Sequence, residues 1–386
     1  MSNLSAPRIT ALWVGTVQAV LVLTWTVYVL FLPVLAKQGG IPAHWVVWIL
    51  VTDQAVFVVT DWASGVFADR LVNAAGRIGL GICVAALVSA GLLFSMPALA
   101  QAGQGEALLA AIGIWAILSS FLRAPVFSLL GKIGGASRKS GVVSLALFGI
   151  SIAGAVGPLI TAWLQRFDPR WSLGAASLAL VVAGLFAMRV ERLKITAMLR
   201  PAFTAWRPLL PLAGVAFLAA FGMQLHTAFG AAAAPAGVAK EFWVPLFWAG
   251  FAAGLVPAAG TSRSVLGLRW CVLALIVGAA AVGLAGAWAA TYLVVFQLVA
   301  GAAWAIVLTG VLAAAIERGG PGGPASPIGA LLSAISLAAM ARLLLVALHI
   351  RGQIDAGLWV VTIWLLAAIG LLAHPWTLRR NRENVS

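Results

Sequence analysis

The feature that most constrains this chain is a succession of long apolar runs separated by short polar breaks. A bilayer core requires about 20 apolar residues per helix, and twelve runs in the chain reach or approach that length. Their expected bounds are 10–36, 43–67, 77–99, 107–131, 141–164, 171–190, 209–232, 242–260, 270–290, 292–316, 327–350 and 357–374. The least distinct break lies between the ninth and tenth runs, at Ala289 to Thr291, and its loss would leave eleven helices. The pattern predicts an all-α integral membrane protein with twelve transmembrane helices.

Composition excludes a water-soluble fold. The 386 residues are 63% hydrophobic and 9% charged, with a mean hydropathy of +1.06, so too little polar surface exists to cover a soluble protein of this size. The 41 glycines and 17 tryptophans fit membrane helices, which pack closely through small residues and carry Trp at the interfaces. Cys83 and Cys271 each lie inside an apolar run, so we expect buried free thiols and no disulfide framework.

The basic residues are divided unevenly between alternate loops. Translocation disfavours positive charge in short loops, so the side richer in Lys and Arg is expected to be cytoplasmic. With the N-terminus inside, that side receives seventeen of the 24 basic residues: Arg8, Arg70, Arg77, Lys132, Arg138, Lys139, Arg189, Arg192, Lys194, Arg200, Arg207, Arg263, Arg269, Arg318, Arg379, Arg380 and Arg382. The opposite side receives Lys37, Arg166, Arg170, Lys240 and Arg351. The formal net charge of +14 is therefore attributed to topology, both termini are expected in the cytoplasm, and nucleic acid is not an expected partner.

One basic stretch without an apolar run, from Arg189 to Arg207, divides the chain almost in half. We expect a cytoplasmic linker at 191–208 between an N-terminal six-helix bundle at 1–190 and a C-terminal six-helix bundle at 209–386. The other loops are short and leave no room for a soluble catalytic domain. The sequence also lacks phosphate-binding, nucleophile-elbow and metal-protease motifs, so neither an enzyme nor a bound cofactor is predicted.

A polar stretch between the second and third runs, from Asp61 to Arg77, reads DWASGVFADRLVNAAGR. Its order of a glycine, three residues, an acid and a base, then Gly-Arg, resembles the loop between helices 2 and 3 of the major facilitator superfamily of secondary transporters. Five residues separate Asp-Arg from Gly-Arg where the family usually has one, and Ile78 stands where a second base is common. The resemblance implies two six-helix bundles that rock about a site near the bilayer midplane. It further implies a gating role, through contacts between helix ends of the two bundles, for Gly65, Asp69, Arg70, Gly76 and Arg77.

The fifth run carries glycines ahead of a Gly-Pro pair in the segment GISIAGAVGPLI. This segment resembles the helix-5 motif of drug/proton antiporters in the same superfamily, where glycines permit close packing between bundles and Pro bends the helix. Its spacing is one residue short, and Thr161-Ala162 replaces the trailing glycine pair. Antiporter function and ordinary helix packing both remain open for Gly154, Gly157 and Pro158.

Two charged residues are expected at matching depth inside the membrane. Asp61 lies two helical turns before Asp69, and Arg123 lies a similar distance, ~10 Å at 1.5 Å per residue, from the cytoplasmic end of the fourth helix. Each charge would be costly alone in hydrocarbon, so we expect an intramembrane ion pair. The pair is either a fixed strut or one that opens during transport.

Asp53 lies near the middle of the second helix without a basic partner in the sequence. A buried carboxylate of this kind can bind and release a proton, which makes Asp53, ahead of Asp61 and Arg123, the first candidate for proton coupling. The alternative is a protonated acid, or an acid hydrogen-bonded to Thr24 or Thr26 of the first helix.

Polar groups on helices 1, 7 and 11 are the candidates for a substrate cavity. His226 follows Met223 and Gln224 in an otherwise small and apolar helix, where it either faces a cavity or extends toward the interface. A copper site at Met223 and His226 lacks a second Met or Cys nearby, so no metal site is predicted. Arg342 either extends to water or points inward, in which case it favours an anionic substrate. The candidate set is Gln18, Thr24, Thr26, Tyr28, Gln224, His226 and Arg342.

The resemblance and the residues together predict a secondary active transporter of the bacterial inner membrane, acting as a monomer with the major facilitator fold. Its expected partners are a small organic solute, protons and the lipid bilayer. Uptake by symport and efflux by drug/proton antiport are both compatible with these residues. A sensor or a lipid-handling protein with the same fold is the alternative from another class, whereas a channel is disfavoured because no filter sequence is present.

Overall fold

The structure of the protein is a computed structural model that describes residues 6–75, 78–131, 139–191, 209–230, 242–260, 264–285, 290–319, 323–350 and 355–373. The regular secondary structure in these ranges is helical, which confirms the predicted all-α class. The helices are α1 (Ala6–Gln38), α2 (Trp45–Ala75), α3 (Gly79–Gln101), α4 (Gly105–Phe121), α5 (Ala124–Gly131), α6 (Lys139–Leu164), α7 (Pro169–Glu191), α8 (Leu210–Phe229), α9 (Trp243–Gly260), α10 (Ser264–Ala285), α11 (Ala290–Gly319), α12 (Ala325–Ala347) and α13 (Ala356–Leu372).

Eleven helical spans in the described residues are long and apolar enough to cross a membrane, with α4 and α5 forming one span, Gly105–Gly131. The last helix, α13, has 17 residues and is shorter than each of these eleven spans. Large apolar side chains cover the outer surface, as at Phe94, Leu178 and Ile369, which are 67%, 64% and 60% exposed. Such a surface is stable in lipid, and the chain is a multi-pass membrane protein. The division into two six-helix bundles with twelve spans stays a prediction.

The second helix is longer than predicted. Instead of ending near residue 67, α2 continues to Ala75, so Asp69 and Arg70 lie within a helix and not in a loop. The added residues include Ala, Leu and Arg, which lose little side-chain freedom in a helix, so the polar residues do not end it. The remaining gating residues, Gly76 and Arg77, lie outside the described residues.

The fourth predicted run is interrupted. Helix α4 ends at Phe121 and α5 begins at Ala124, with Leu122 and Arg123 between them. Pro125 explains the break, because proline has no N–H to continue the helical hydrogen-bond ladder. The chain tightens into i to i+3 bonds there, from the N–H of Leu122 to Ser119 and from that of Arg123 to Ser120.

The ninth and tenth runs are separate helices that pack against each other. Helix α10 ends at Ala285 and α11 begins at Ala290, so Ala290 and Thr291, expected in the break, already belong to α11. The predicted linker at 191–208 lies, apart from Glu191, outside the described residues.

Helices from the first and second halves of the sequence pack directly on each other. The main contacts between halves join α2 to α12 and α6 to α9, while α1 packs on α6 and α8 packs on α12 and α13. The short helix α5 also packs on α12. These contacts enclose a central cavity between α1, α2, α4, α8 and α12.

Candidate functional site

The central cavity has a volume of about 380 Å³, which lies at the lower end of the range of ~300–1,000 Å³ for sites that bind small ligands. Five helices contribute side chains, so the cavity combines residues far apart in the sequence. Its lining residues are Gln18, Leu21, Val22, Trp25, Val29, Leu50, Gln54, Phe57, Trp115, Ser119, Arg123, Gln224, Ile335, Ser336, Ala339, Arg342 and Leu343. Most are apolar, with a few amides and hydroxyls and two guanidinium groups.

The break between α4 and α5 positions Arg123 at the cavity. Because Leu122 and Arg123 leave the regular helix, their backbone groups require other partners. The side-chain amide of Gln18 donates from Nε2 to the Leu122 carbonyl oxygen at 3.0 Å, which links α1 to the break. Gln18 is thus a cavity-lining residue whose amide also stabilises the conformation that presents Arg123.

Asp61 and Arg123 form a buried ion pair that is shared with α12. Arg123 Nη1 lies 2.8 Å from Asp61 Oδ2, and the Asp61 side chain is fully buried whereas that of Arg123 is 22% exposed toward the cavity. Ser336 of α12 accepts a hydrogen bond from Arg123 Nη1 at 3.2 Å and donates one to Asp61 Oδ2 at 3.2 Å. One hydroxyl therefore connects the pair to the second half of the chain. Whether the pair opens during transport stays a prediction.

Aromatic rings form one wall of the cavity. The Trp25 and Trp115 rings are stacked, with centroids 5.8 Å apart and planes inclined by 9°. Phe57 lies 5.4 Å from Trp25, and the Arg123 guanidinium carbon is 5.0 Å from the Phe57 centroid, within the range of a cation–π contact. This wall presents flat apolar surface beside a cation.

Arg342 points inward and lines the cavity from α12. Its Nε atom is buried and has no hydrogen-bond partner among the described residues. Asp and Glu are absent from the described residues that line the cavity. Of the two orientations that the sequence left open, the structure has the inward one.

Asp53 lies beside the cavity and is not among its lining residues. Its Oδ2 accepts a hydrogen bond from the Tyr28 hydroxyl at 2.8 Å, and both residues are buried. The alternative of a hydrogen bond from Thr24 or Thr26 is not the one observed, since the partner is Tyr28 and the Thr26 hydroxyl donates to the Val22 carbonyl oxygen within α1. Thr26 and Tyr28 lie two residues apart in a helix, so their side chains cannot share a direction.

His226 is buried, which excludes the orientation toward the interface. Its Nε2 lies 2.6 Å from Gln297 Oε1, and Gln297 Nε2 donates to the Trp243 carbonyl oxygen at 2.9 Å. Because the latter bond fixes the amide orientation, Gln297 Oε1 accepts and His226 Nε2 carries the proton. The histidine belongs to a cluster between α8, α9 and α11, whereas Gln224, two residues earlier, lines the cavity.

One end of the molecule is closed by a contact between α2 and the start of α12. The Asp69 carboxylate accepts hydrogen bonds from Ala325 N at 3.0 Å, Ser326 N at 2.8 Å and Ser326 Oγ at 2.5 Å. These are orphan N–H groups of a helix N-terminus, where a negative charge is favourable. Arg70, the next residue, is exposed. Asp69 is therefore the acid that joins the two halves at this end.

Glycines allow the two backbones of this contact to approach closely. A Cβ added to Gly65 of α2 would overlap the Ala325 carbonyl oxygen, and one added to Gly329 of α12 would overlap the Asp61 carbonyl oxygen. Only glycine permits that separation at both positions. We name the contact formed by Asp69, Gly65, Gly329 and the first turn of α12 the closed end.

Of the two α6 glycines, Gly154 lies at a second contact between halves, whereas Gly157 faces α1 of the same half. A Cβ on Gly154 would overlap the Trp248 ring of α9, and one on Gly157 would lie 3.6 Å from the Thr26 side chain of α1. Pro158 follows within α6. This arrangement agrees with close packing, and it leaves the antiporter hypothesis untested.

The structure brings three of the seven proposed cavity residues together, namely Gln18, Gln224 and Arg342. Thr24, Thr26, Tyr28 and His226 are not among the described lining residues. Sequence reasoning missed Trp25, Gln54, Trp115, Ser119 and Ser336 in the cavity, and Gln297 beside His226. A signal existed for Gln54 alone, because it adjoins Asp53 in an apolar helix.

Comparisons with known proteins identify the fold. No protein-family model and no curated protein matches the sequence. Among solved structures, the human organic anion transporter MFSD10 (TETRAN) aligns with a TM-score of 0.74 and 16% identity over 96% of this chain and 100% of that chain. The proton:xylose symporter XylE, bound to 6-bromo-6-deoxy-D-glucose, aligns with a TM-score of 0.71 and 11% identity over 96% and 94%. The chain therefore has the fold of the major facilitator superfamily transporters.

Proposed function

We propose that the protein is a secondary active transporter that moves a small organic solute across a membrane by alternating access. The observation that carries this proposal is a cavity of about 380 Å³ between the two halves, sealed at one end by the contact of Asp69 with the first turn of α12. A binding site closed on one side by a separable contact between halves is what alternating access requires. Two solved structures that share the fold are named as transporters, which supports the same class.

The two moving units are proposed to be a bundle at 1–190 and a bundle at 209–386, each of six spans, joined by a linker at 191–208. The short helix α13 would be the twelfth span. The closed end is proposed to face the cytoplasm, because Asp69 belongs to the side that carries most Lys and Arg. We propose that the protein is a monomer in the inner membrane of a bacterium, with both termini in the cytoplasm. The proposed function includes neither an enzymatic activity nor a nucleic-acid partner.

Proton coupling is proposed to use Asp53. Its carboxylate is buried, close to the cavity, and bonded to Tyr28 at 2.8 Å without an ion-pair partner among the described residues. A single buried acid bonded to a hydroxyl has two protonation states that differ in charge, and the local structure can respond to that difference. One of the transporters with this fold is named as a proton symporter, which supports coupling to protons.

The test is uptake by purified protein in proteoliposomes with an imposed pH gradient, using mixtures of labelled organic solutes and mass spectrometry of the lumen. Transport predicts accumulation above the external concentration that collapses when the gradient is removed. Asp53→Asn is the matched variant, since it should retain exchange without accumulation. Solutes that bind without entering the lumen would instead support the sensor hypothesis and refute the proposal.

A further inference from the structure

We propose that the central cavity selects an organic anion with one negative charge and a flat apolar body, anchored by Arg342. The inference rests on the proposed function, because it names the substrate class of the same site.

The cavity carries one positive charge that no acidic side chain among the described residues balances. Two guanidinium groups line it, but that of Arg123 is paired with Asp61 at 2.8 Å and also bonded to Ser336. Arg342 has no ion pair among the described residues, and its buried Nε has no hydrogen-bond partner there. A half-buried cation without an ion-pair partner is costly within a membrane protein, and an anionic ligand removes that cost.

The geometry of the arginine side chain favours a planar or tetrahedral oxyanion as the ligand. Its guanidinium presents N–H donors in a fixed fork that matches two oxygens of a carboxylate or sulfonate. One free guanidinium balances one negative charge. A dianion would bring a second charge into a cavity whose other arginine is already neutralised, so monoanions are favoured over dianions.

The aromatic wall of the cavity accommodates a ring. Trp25 lines the cavity and stacks on Trp115 at 5.8 Å, and Phe57 lies 5.4 Å from Trp25, so flat apolar surfaces border the space. Stacked or tilted contacts between aromatic rings are favourable beyond simple burial. A volume of about 380 Å³ suits one or two fused rings better than a long chain or a disaccharide.

The amide side chains at the cavity can orient a ligand, but they do not select its charge. Gln54 and Gln224 line it from α2 and α8, whereas the Nε2 of Gln18 is committed to the Leu122 carbonyl oxygen. Amides hydrogen-bond to either an anion or a neutral group, so they do not favour one over the other. Discrimination between an anion and its neutral analogue is therefore assigned to Arg342.

The experiment measures binding to purified full-length protein by isothermal titration calorimetry. The probes are 2-naphthoate, its neutral analogue 2-naphthamide, and the dianion naphthalene-2,6-dicarboxylate. We expect 2-naphthoate to bind at least ~10-fold more tightly than either, because a hydrogen bond to a charged group is worth more than one between neutral groups. Arg342→Gln should weaken the binding of 2-naphthoate by ~10- to 100-fold and leave the binding of 2-naphthamide unchanged. Arg342→Lys should retain part of the preference.

Arg166→Gln is the control, since Arg166 is exposed and is not one of the lining residues, and it should not change the preference. Thermal unfolding of each variant establishes that it is folded. Equal binding of the anion and the amide, or an unchanged preference in folded Arg342→Gln, would overturn the inference. Accumulation of a neutral solute only would also overturn it while leaving the transporter proposal intact. Anion binding that depends on Arg342 without any transport would sustain the inference and refute the proposed function.

Discussion

Asp69 offers a quantitative test of the closed end. Its carboxylate accepts three hydrogen bonds, from Ala325 N, Ser326 N and Ser326 Oγ. Asparagine has one uncharged acceptor oxygen, which at the position of Oδ2 keeps the two bonds from Ser326, so Asp69→Asn is expected to lose the bond from Ala325 N and to weaken the other two by removing the charge. With ~1.5–3 kcal/mol for each hydrogen bond to a charged group, the closed end loses roughly 3 kcal/mol or more. That loss corresponds to on the order of 100-fold in the equilibrium between closed and open.

The assay follows a cysteine introduced by Ser128→Cys after both native cysteines have been replaced by alanine. Ser128 lies on α5, is 2% exposed and belongs to a helix that packs against α2 and α12. A polar maleimide reaches it only when the end opens, so the labelling rate reports the open population. We expect Asp69→Asn to raise that rate on the order of 100-fold in nanodiscs.

Asp168→Asn is the matched control, because Asp168 accepts a hydrogen bond from the Arg170 N–H in an exposed turn away from the closed end. It should leave the labelling rate unchanged. If the labelling rate of Asp69→Asn is within about twofold of that of the parent protein, and its unfolding temperature is unaltered, then this carboxylate does not hold the closed end together.

Three further predictions concern Gly329, Asp53 and Asp61. Gly329→Ala should increase the labelling of the same cysteine, because its Cβ would overlap the Asp61 carbonyl oxygen, whereas Gly113→Ala, with open space around it, should not; equal rates would contradict the steric argument. Asp53→Asn should abolish accumulation driven by a pH gradient and preserve counterflow of labelled solute, and retained accumulation would exclude Asp53 as the coupling site. Asp61→Asn should lower the free energy of unfolding by ~3–5 kcal/mol, because it leaves Arg123 without its ion-pair partner. A variant that neutralises both Asp61 and Arg123 should recover part of that loss in chemical unfolding. A double variant less stable than Asp61→Asn would contradict this.

The helices and their approximate bounds follow from the sequence because membrane thickness fixes the length of an apolar run. The depth of Asp61 and Arg123 follows as well, since the helical rise converts residue number into distance. The break at Leu122 was not predicted, although Pro125 was visible, because proline interrupts some membrane helices and merely bends others. The continuation of α2 through Asp69 was not predicted, because charged residues at a helix end are compatible with either helix or loop.

The hydrogen-bond partners of buried polar side chains could not be predicted from the sequence alone. Asp53 is bonded to Tyr28, not Thr24 or Thr26, because the rotation of α1 about its axis depends on packing against α2 and α6. His226 is paired with Gln297, 71 positions away, and nothing local indicates that meeting. Trp25 and Trp115 have the appearance of ordinary membrane tryptophans in the sequence, and only the folded chain shows that their rings stack and border a cavity.

The backbone contact at Gly65 and Gly329 has a consequence for the membrane itself. A carrier must pass its solute without dissipating the ion gradient that powers it, so each seal must exclude water chains along which protons hop. Side chains that interdigitate leave gaps whenever they change rotamer, whereas a Cα packed directly on a carbonyl oxygen has no rotamer to change. Under the proposed function, the two glycines would keep this seal free of rotamer-dependent gaps while that end is shut, and the membrane would stay electrically tight until the two halves separate there.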